Sequence, residues 1–253
     1  MTLIVTSISN LGIIQASDSN LTGTGGTTAG PKVFPLGFTP AALSLAGTYS
    51  VGGVPMDAWM PQCIADYGVM PGATLEGFAD HLARRLTNEI TDAERNNGSL
   101  IHIAGYFSEG GASHPAMHFV RNLARIDPTS GDYDGVEHDF QVSEDFWGRD
   151  YLIQDTRDAL ARGGSQRYFN GTAAGRIAYF GVSQLLNEFF VQAWDDQAWK
   201  FKPPQTLEQQ AVQLDLAIRA IGALFSSSDY AAPYIGGDVQ TELVTPPADA
   251  VSI

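Results

Sequence analysis

The chain is poor in cysteine, in long apolar runs and in basic residues, and each shortage excludes a class of protein. Cys63 is the single cysteine in 253 residues, so no intramolecular disulfide can form. No segment approaches the roughly 20 continuous apolar residues of a membrane-spanning helix. Lys and Arg number 14 against 28 Asp and Glu, giving a net charge of −14. This balance argues against nucleic-acid binding, because attachment to phosphates needs a basic face.

The same patterns give expectations about compartment and cofactors. The first residues lack the basic region, apolar core and cleavage site of a secretory signal, and we expect a cytoplasmic protein without membrane contact. We predict no metal and no cofactor. The five histidines lack metal-ligand spacing, and DYDG at 132–135 lacks the alternating ligands and closing Glu of a calcium loop.

Strand-like and helix-like segments follow one another in blocks. Strand pairs are predicted at 2–8 with 12–19, 32–37 with 41–47, and 99–107 with 115–123, and a last strand at 236–245. Helices are predicted at 54–67, 75–90, about 173–195 and from Thr206. Blocks of this kind indicate α+β layers. We predict a four-layer αββα sandwich, with two stacked antiparallel sheets flanked by helix pairs, in a single domain spanning residues 1–253.

Several local features complete this prediction. The Gly/Thr-rich stretch at 22–31 is expected to be a loop, and residues from about 125 to 168 an acidic, irregular insertion. The helix at 173–195 is expected to bury an apolar face of Ile177, Phe180, Leu185, Phe189 and Ala193, and Thr206 with Gln209 has the spacing of a capping box.

The chemistry centres on Thr2, which follows the initiator Met1 and opens a strand. Removal of methionine before a small residue is ordinary, so we expect the mature chain to begin at Thr2. A free N-terminal threonine combines a hydroxyl nucleophile with an amine base, whose reference pKa is about 7.7–8.0. That amine can take the hydroxyl proton during attack on a carbonyl.

Such a nucleophile needs a nearby cation, an acid that holds the cation, and a backbone N–H for the oxyanion. Asp18 ends the second strand, which folds back beside Thr2. Lys32 opens the third strand, where its long side chain reaches the same end. Gly47 closes the following strand, where a glycine lets a substrate approach the backbone.

With these residues the chain resembles the proteasome β-type subunits and the bacterial peptidase HslV, both N-terminal-nucleophile hydrolases. The resemblance implies that Thr2, Asp18 and Lys32 are catalytic and that Ala46 and Gly47 form the -AG- that supplies the oxyanion N–H. It places Leu45 at the floor of the substrate pocket, with Ala46 beside it, and implies a preference for apolar residues.

The resemblance is looser in the second half of the chain. It implies that Asp229 and the glycine pair 236–237 support the threonine amine, although Ile235 stands where the family has a serine. Thr172 is the candidate for the family serine that precedes the third helix.

The predicted function is therefore that of a threonine-type endopeptidase acting on peptides or unfolded proteins. The resemblance implies a homo-oligomeric ring or related assembly with inward-facing sites, and it leaves room for an ATPase unfoldase partner, for which no residue gives a signal. A non-catalytic structural subunit and a small-molecule amidase on the same scaffold are the alternatives.

Overall fold

A computed structural model describes residues 2–23, 26–124, 127, 129, 132–143, 158, 160, 164–195, 202–228 and 235–250. Its strands are β1 (Leu3–Ser9), β2 (Gly12–Asp18), β3 (Asn20–Gly23), β4 (Gly26–Ala29), β5 (Val33–Pro35), β6 (Ala41–Gly47), β7 (Ser50–Val51), β8 (Val54–Pro55), β9 (Ser99–Glu109), β10 (Ala112–Leu123), β11 (Val136–Ser143), β12 (Ser165–Gly171) and β13 (Val239–Val244). Its helices are α1 (Met56–Gly68), α2 (Leu75–Glu89), α3 (Asp92–Arg95), α4 (Ala173–Asp195) and α5 (Leu207–Ser226).

Two antiparallel sheets contain most of these strands. The first has the order β12-β1-β2-β13, and the second has the order β11-β10-β9-β6-β5. The strands β3 with β4 and β7 with β8 form two separate ribbons. The predicted pairings of the first two strands, of β5 with β6 and of β9 with β10 are all present. The predicted α+β class with antiparallel sheets is confirmed.

The strands β1 and β2 are buried along their whole length because both faces of their sheet are covered. Alternate side chains of a strand point to opposite faces. Ile4, Ile8 and Ile13 pack against the five-stranded sheet. Leu3 and Val5 pack with the apolar residues of α4 and α5 on the opposite face. A third cluster joins α1 and α2 to the outer face of the five-stranded sheet.

A buried polar network crosses between the two sheets. The hydroxyls of Thr6 and Ser44 each donate to Gln15 Oε1 at 2.8 Å. His102 Nδ1 lies 2.9 Å from Thr6 Oγ1, and its Nε2 lies 2.7 Å from Asn170 Oδ1. Burial lowers the pKa of His102 to about 4, against the opposing effect of the bond to Asn170. The imidazole is therefore neutral at pH 7.

The described helices lie where periodicity placed them, and the short α3 and the cap of α2 by Thr74 were not predicted. Thr74 caps α2 by accepting from Gly77 N at 3.1 Å. Thr206 caps α5 by accepting from Gln209 N, but Gln209 Oε1 accepts from Gln205 N at 2.8 Å. The predicted reciprocal capping box at Thr206 is thus half formed. The short helix α3 follows α2.

Two segments are more regular than predicted. Part of the expected loop at 22–31 pairs as the β3–β4 ribbon. In the expected insertion at about 125–168, β11 extends the five-stranded sheet, and β12 pairs with β1 along its whole length. The polar composition of both segments hid this pairing, because an edge strand needs few apolar side chains.

The helix α4 confirms the predicted position but not the expected burial. Tyr179 and Ala193 are buried, whereas Ile177, Phe180 and Leu185 are exposed. Apolar residues occur all round this helix, so periodicity did not identify its buried face. Within the described ranges, no helix is both long enough and apolar enough to cross a bilayer.

Candidate active site

The first strands bring Thr2, Asp18 and Lys32 together. Leu3 N donates to Asp18 Oδ1 at 3.0 Å, because β2 folds back along β1 and ends beside its start. The backbone of Lys32 is fixed from two sides. Its carbonyl accepts from Leu45 N at 3.0 Å, and its N–H donates to Gln240 Oε1 at 2.7 Å.

The ammonium group of Lys32 has three acceptors. Its Nζ lies 2.8 Å from Thr2 Oγ1, 3.3 Å from Asp18 Oδ1 and 2.5 Å from the carbonyl oxygen of Asn20. Since an ammonium group has three N–H donors, this set satisfies it completely. Lys32 is only 1% exposed and Asp18 is fully buried. The sequence therefore placed these three residues correctly relative to one another.

The carboxylate of Asp18 is held by backbone donors as well as by the lysine. Its Oδ2 accepts from Asn20 N at 3.3 Å and from Gly236 N at 3.2 Å. Burial raises the pKa of Asp18, while the Lys32 charge and the N–H groups of Leu3 and Gly236 oppose that rise. Burial likewise lowers the pKa of Lys32, and the Asp18 charge opposes this fall. Desolvation thus opposes the charged forms of both groups, while their mutual attraction and the backbone donors favour them.

Thr2 lines a cavity of about 570 Å³, a volume within the usual range of small-ligand sites. The other lining residues come from several elements: Asn20, Leu21, Ala46, Gly47, Thr48, Tyr49, Asn97, Gly98, Leu100, Leu123, Asp132, Tyr133, Gly171 and Thr172. Thr2 itself is only 6% exposed, and the exposed part of it lines this cavity.

Gly47 lines the cavity in a conformation that few other residues adopt. Its φ is +114°, and a Cβ atom there would lie 2.1 Å from the Gly98 carbonyl oxygen. Thr48 N donates to that same oxygen at 3.1 Å, so the neighbouring pair Gly47 and Ser99 is not hydrogen-bonded in the ladder. The Gly47 N–H therefore points away from β9.

The structure corrects the assignment of Leu45. Its side chain is buried in the cluster beneath α1 and α2, and it is not among the described residues that line the cavity. Ala46, the next residue, faces the cavity. Successive residues of a strand point to opposite faces, so a shift of one position exchanges a helix-facing residue for a cavity-facing one.

Of the candidate site residues in the second half of the chain, some lie at the site and others do not. Thr172 lines the cavity, and its Oγ1 accepts from Gly175 N at 3.1 Å at the start of α4. Gly236 contacts Asp18 through its N–H, whereas Ile235 is buried against the helices. Asp229 lies outside the described residues.

The site also contains groups that the sequence analysis missed. Asn20 contributes a carbonyl oxygen to Lys32, and Gly171 passes so close to Thr2 that a Cβ would lie 2.1 Å from the Thr2 carbonyl oxygen. Asp132 and Tyr133, from the expected insertion, form part of the cavity wall. Backbone groups leave no signal in a sequence, but the glycine at 171 marks a close approach of two strands.

The arrangement can activate a hydroxyl. Lys32 donates to a lone pair of Thr2 Oγ1, so the hydroxyl proton remains free for a base and the nearby positive charge stabilises the alkoxide that forms. The described residues contain no group of three or more His, Cys, Asp or Glu side chains suited to holding a metal ion. Comparison with protein-family models and with curated protein sequences finds no match to this chain.

Proposed function

We propose that the protein is a threonine-type peptidase in which Thr2 is the nucleophile. One observation carries the proposal: Lys32 Nζ lies 2.8 Å from Thr2 Oγ1 while bound to the buried Asp18 carboxylate at 3.3 Å. A buried lysine without a counter-charge destabilises a fold, and the ion pair with Asp18 alone would be enough for a purely structural lysine. The additional contact with a hydroxyl in a cavity wall is the arrangement that nucleophilic catalysis requires.

The proposed reaction begins once the bond between Met1 and Thr2 has been cut, which leaves Thr2 with a free amine. That amine takes the proton of the Thr2 hydroxyl while Oγ1 attacks a substrate carbonyl carbon. The Gly47 N–H donates to the developing oxyanion. The protonated amine then gives its proton to the leaving nitrogen, the C–N bond breaks, and an ester remains on Thr2. Water hydrolyses this ester and restores the free hydroxyl.

We place the protein in the proteasome β-type and HslV-like class, with a four-layer αββα sandwich. Three features support this assignment: the Thr2, Asp18 and Lys32 cluster, the cavity-facing Ala46–Gly47 pair, and the separate apolar clusters on either side of and between the sheets. The proposal includes a homo-oligomeric assembly and peptide or unfolded-protein substrates. An ATPase unfoldase remains a candidate partner.

A small-molecule amidase is the second candidate, and the cavity favours it. Asp132 and Tyr133 form part of the cavity wall, and the cavity volume of about 570 Å³ suits a compact amide. The same nucleophile would act in both reactions. A structural subunit without hydrolytic activity is less consistent with a lysine that contacts the Thr2 hydroxyl.

Active-site labelling tests the proposal. An epoxyketone closes a ring on the hydroxyl and the amine of an N-terminal threonine, so it reports both groups together. We expect mass spectrometry of protein purified from its own cells to show a chain that starts at Thr2 and carries one adduct there. Thr2→Ala should abolish labelling, whereas the exposed Thr245→Ala should leave it unchanged. A retained Met1 with no adduct would reject the proposed function.

Substrate profiling then separates the two candidate reactions. Fluorogenic peptides and small amides are compared at equal concentration with the wild-type protein and Thr2→Ala. A peptidase should hydrolyse the peptides faster, and both activities should disappear in the variant. Hydrolysis of small amides alone would select the amidase.

A further inference from the structure

A second cavity lies beside the start of α2, on the side of the five-stranded sheet that carries α1 and α2. Its volume is about 470 Å³, which is within the usual range of small-ligand sites. Among the described residues, none lines both this cavity and the Thr2 cavity. Its walls, here called the α2 cavity, include Thr39, Glu76, Phe107, Ser108, Ala116 and His118.

His118 brings an imidazole without a hydrogen-bond partner to the wall of the α2 cavity. The next residue of β10, Phe119, packs between the two sheets, so His118 lies on the side that faces the helices. His118 is only 6% exposed, and no described residue hydrogen-bonds to its ring nitrogens. A buried polar side chain normally has such a partner, because desolvation without one destabilises the fold. The ring nitrogens are therefore available to a molecule in the cavity.

The charges around His118 favour a cation as that molecule. Glu76 is the second residue of α2 and Asp80 follows one turn later, so both side chains lie on one side of the helix. Burial lowers the pKa of His118, and these two carboxylates oppose that fall, which leaves a neutral imidazole at pH 7. The start of a helix carries only about half a positive charge, less than the two carboxylates together.

The walls of the α2 cavity suit an organic cation better than a metal ion. The part of the chain that the structure describes contains no group of three or more His, Cys, Asp or Glu side chains suited to a metal. Phe107 is partly buried against the same apolar cluster as Ala116. An aromatic ring attracts a cation over its face, and a neutral imidazole has one nitrogen that accepts from an ammonium group. Glu76 is the only acidic or basic residue among the described lining residues apart from His118.

The start of α5 offers a comparison within the same chain. Both helices begin with Thr-Leu-Glu, at 74–76 and at 206–208, and both threonines cap their helix. The carboxylates of Glu76 and Glu208 therefore hold the same position relative to a helix start. Only Glu76 lines the α2 cavity, so the cavity and His118 distinguish this helix start from the other.

We infer that the α2 cavity binds a small organic cation, with its ammonium group between Glu76 and His118 and its apolar part against Phe107. Such a ligand joins the start of α2 to the sheet, so its binding should also stabilise the folded protein. This inference does not depend on the proposed peptidase activity, because none of these three residues lines the Thr2 cavity.

Isothermal titration calorimetry on the full chain at neutral pH tests the inference, with phenethylamine as the probe. We expect a dissociation constant on the order of 1 mM, which is typical of so small a ligand. The neutral analogue 2-phenylethanol has the same ring and chain, and it should bind about 10-fold more weakly because it lacks the charge. His118→Leu and Glu76→Gln should each weaken the binding of phenethylamine by about 10-fold or more.

Matched variants locate the probe. Glu208→Gln removes the corresponding carboxylate from α5 and should leave the affinity unchanged. His118→Leu should melt at the wild-type temperature or above when no probe is present, because it breaks no hydrogen bond. The exposed position of Glu76 makes Glu76→Gln a second variant that keeps the fold. Thr2→Ala should bind the probe as the wild type does, which separates this site from the proposed catalytic one.

Three results would overturn the inference. The first is an absence of measurable phenethylamine binding to the wild-type protein. The second is equal affinity for phenethylamine and 2-phenylethanol, which would show that the cavity does not select for charge. The third is an affinity that survives both His118→Leu and Glu76→Gln, and its loss in Thr2→Ala would then place the probe in the Thr2 cavity.

Discussion

Replacing Asp18 by asparagine tests whether Lys32 is charged in the folded protein. The substitution keeps the size of the side chain but removes the negative charge 3.3 Å from Lys32 Nζ. Lys32, only 1% exposed, then has only neutral acceptors, namely Thr2 Oγ1, the Asn20 carbonyl and the amide oxygen of the substituted side chain. Breaking a buried ion pair on one side costs about 3–5 kcal/mol. We expect a loss of this size at pH 7 in urea unfolding followed by tryptophan fluorescence.

The pH dependence of that loss has a definite sign. Burial already lowers the pKa of Lys32, and removing Asp18 lowers it further because the opposing charge is gone. The unfolded chain then binds more protons than the folded variant at neutral pH, so the stability of the variant rises with pH. The deficit relative to wild type should shrink by up to about 1.4 kcal/mol per pH unit as the pH rises from 7 towards 10. A deficit that stays constant over this range would refute a charged Lys32.

A double-mutant cycle separates the ion pair from packing effects. Lys32→Met fills a similar volume without charge, and alone it leaves Asp18 with its backbone donors but no counter-charge. Combining it with Asp18→Asn removes both charges, so the double variant should be more stable than the sum of the single losses by about 2–3 kcal/mol. Strictly additive losses would mean that the two charges do not interact. All three variants should lose epoxyketone labelling of Thr2.

Three further predictions use other parts of the structure. Gly47→Ala should destabilise the protein by about 1–3 kcal/mol and reduce labelling, because its methyl group meets the Gly98 carbonyl. Gly53→Ala is the control, since Gly53 has a positive φ but open space around it, and it should cost less in the same urea assay. The buried His102 has a pKa of about 4, below its usual value of 6.5, so the folded protein resists protonation of this imidazole. The free energy of unfolding should therefore be highest above pH 6.5 and fall by up to roughly 3 kcal/mol as the pH is lowered to 4. His102→Gln should flatten this part of the stability profile, and an unchanged slope would contradict the assignment. For Glu94, burial raises the pKa, but hydrogen bonds from hydroxyl and backbone donors outweigh this and lower it to about 2. The Glu94 carboxylate should stabilise the fold by about 1 kcal/mol above pH 4.5, and this stabilisation should be lost as the pH falls towards 2. Glu94→Gln should remove this pH dependence of stability in thermal melts.

The sequence predicted the parts of the site that depend on strand ends. Thr2, Asp18 and Lys32 stand at the ends of three short strands, and alternating apolar residues made those strands recognisable. Once β2 folds back on β1, the positions of the first two residues follow from chain geometry. The cluster could therefore be predicted before any atom was placed.

The parts that depend on backbone groups or on a single register could not be predicted in this way. The Asn20 carbonyl and the Gly236 N–H contact Lys32 and Asp18 whatever side chains they carry. Leu45 and Ala46 differ by one position, and only the pairing of β6 with β9 shows which of them faces the cavity. Local patterns contain neither kind of information.

The helices show the same limit on a larger scale. The length of α4 was predictable from its composition, but Ile177 and Tyr179 are both apolar and only one of them is buried. The burial of a helix that is apolar on every side depends on what packs against it. The composition of α4 therefore could not show which of its apolar residues would be exposed.

The network that joins Thr6, Gln15, Ser44, His102 and Asn170 restricts how the two sheets can be stacked. Apolar side chains alone tolerate small sliding movements, because one methyl contact replaces another at little cost. Shifting one sheet by a single residue would instead leave several buried polar groups without hydrogen-bond partners. Each such group would destabilise the fold by about 1–3 kcal/mol. Only one alignment satisfies all of them. Since Thr2 is carried by one sheet and Gly47 by the other, this alignment also fixes the distance between Thr2 Oγ1 and the Gly47 N–H, the nucleophile and the oxyanion donor of the proposed reaction.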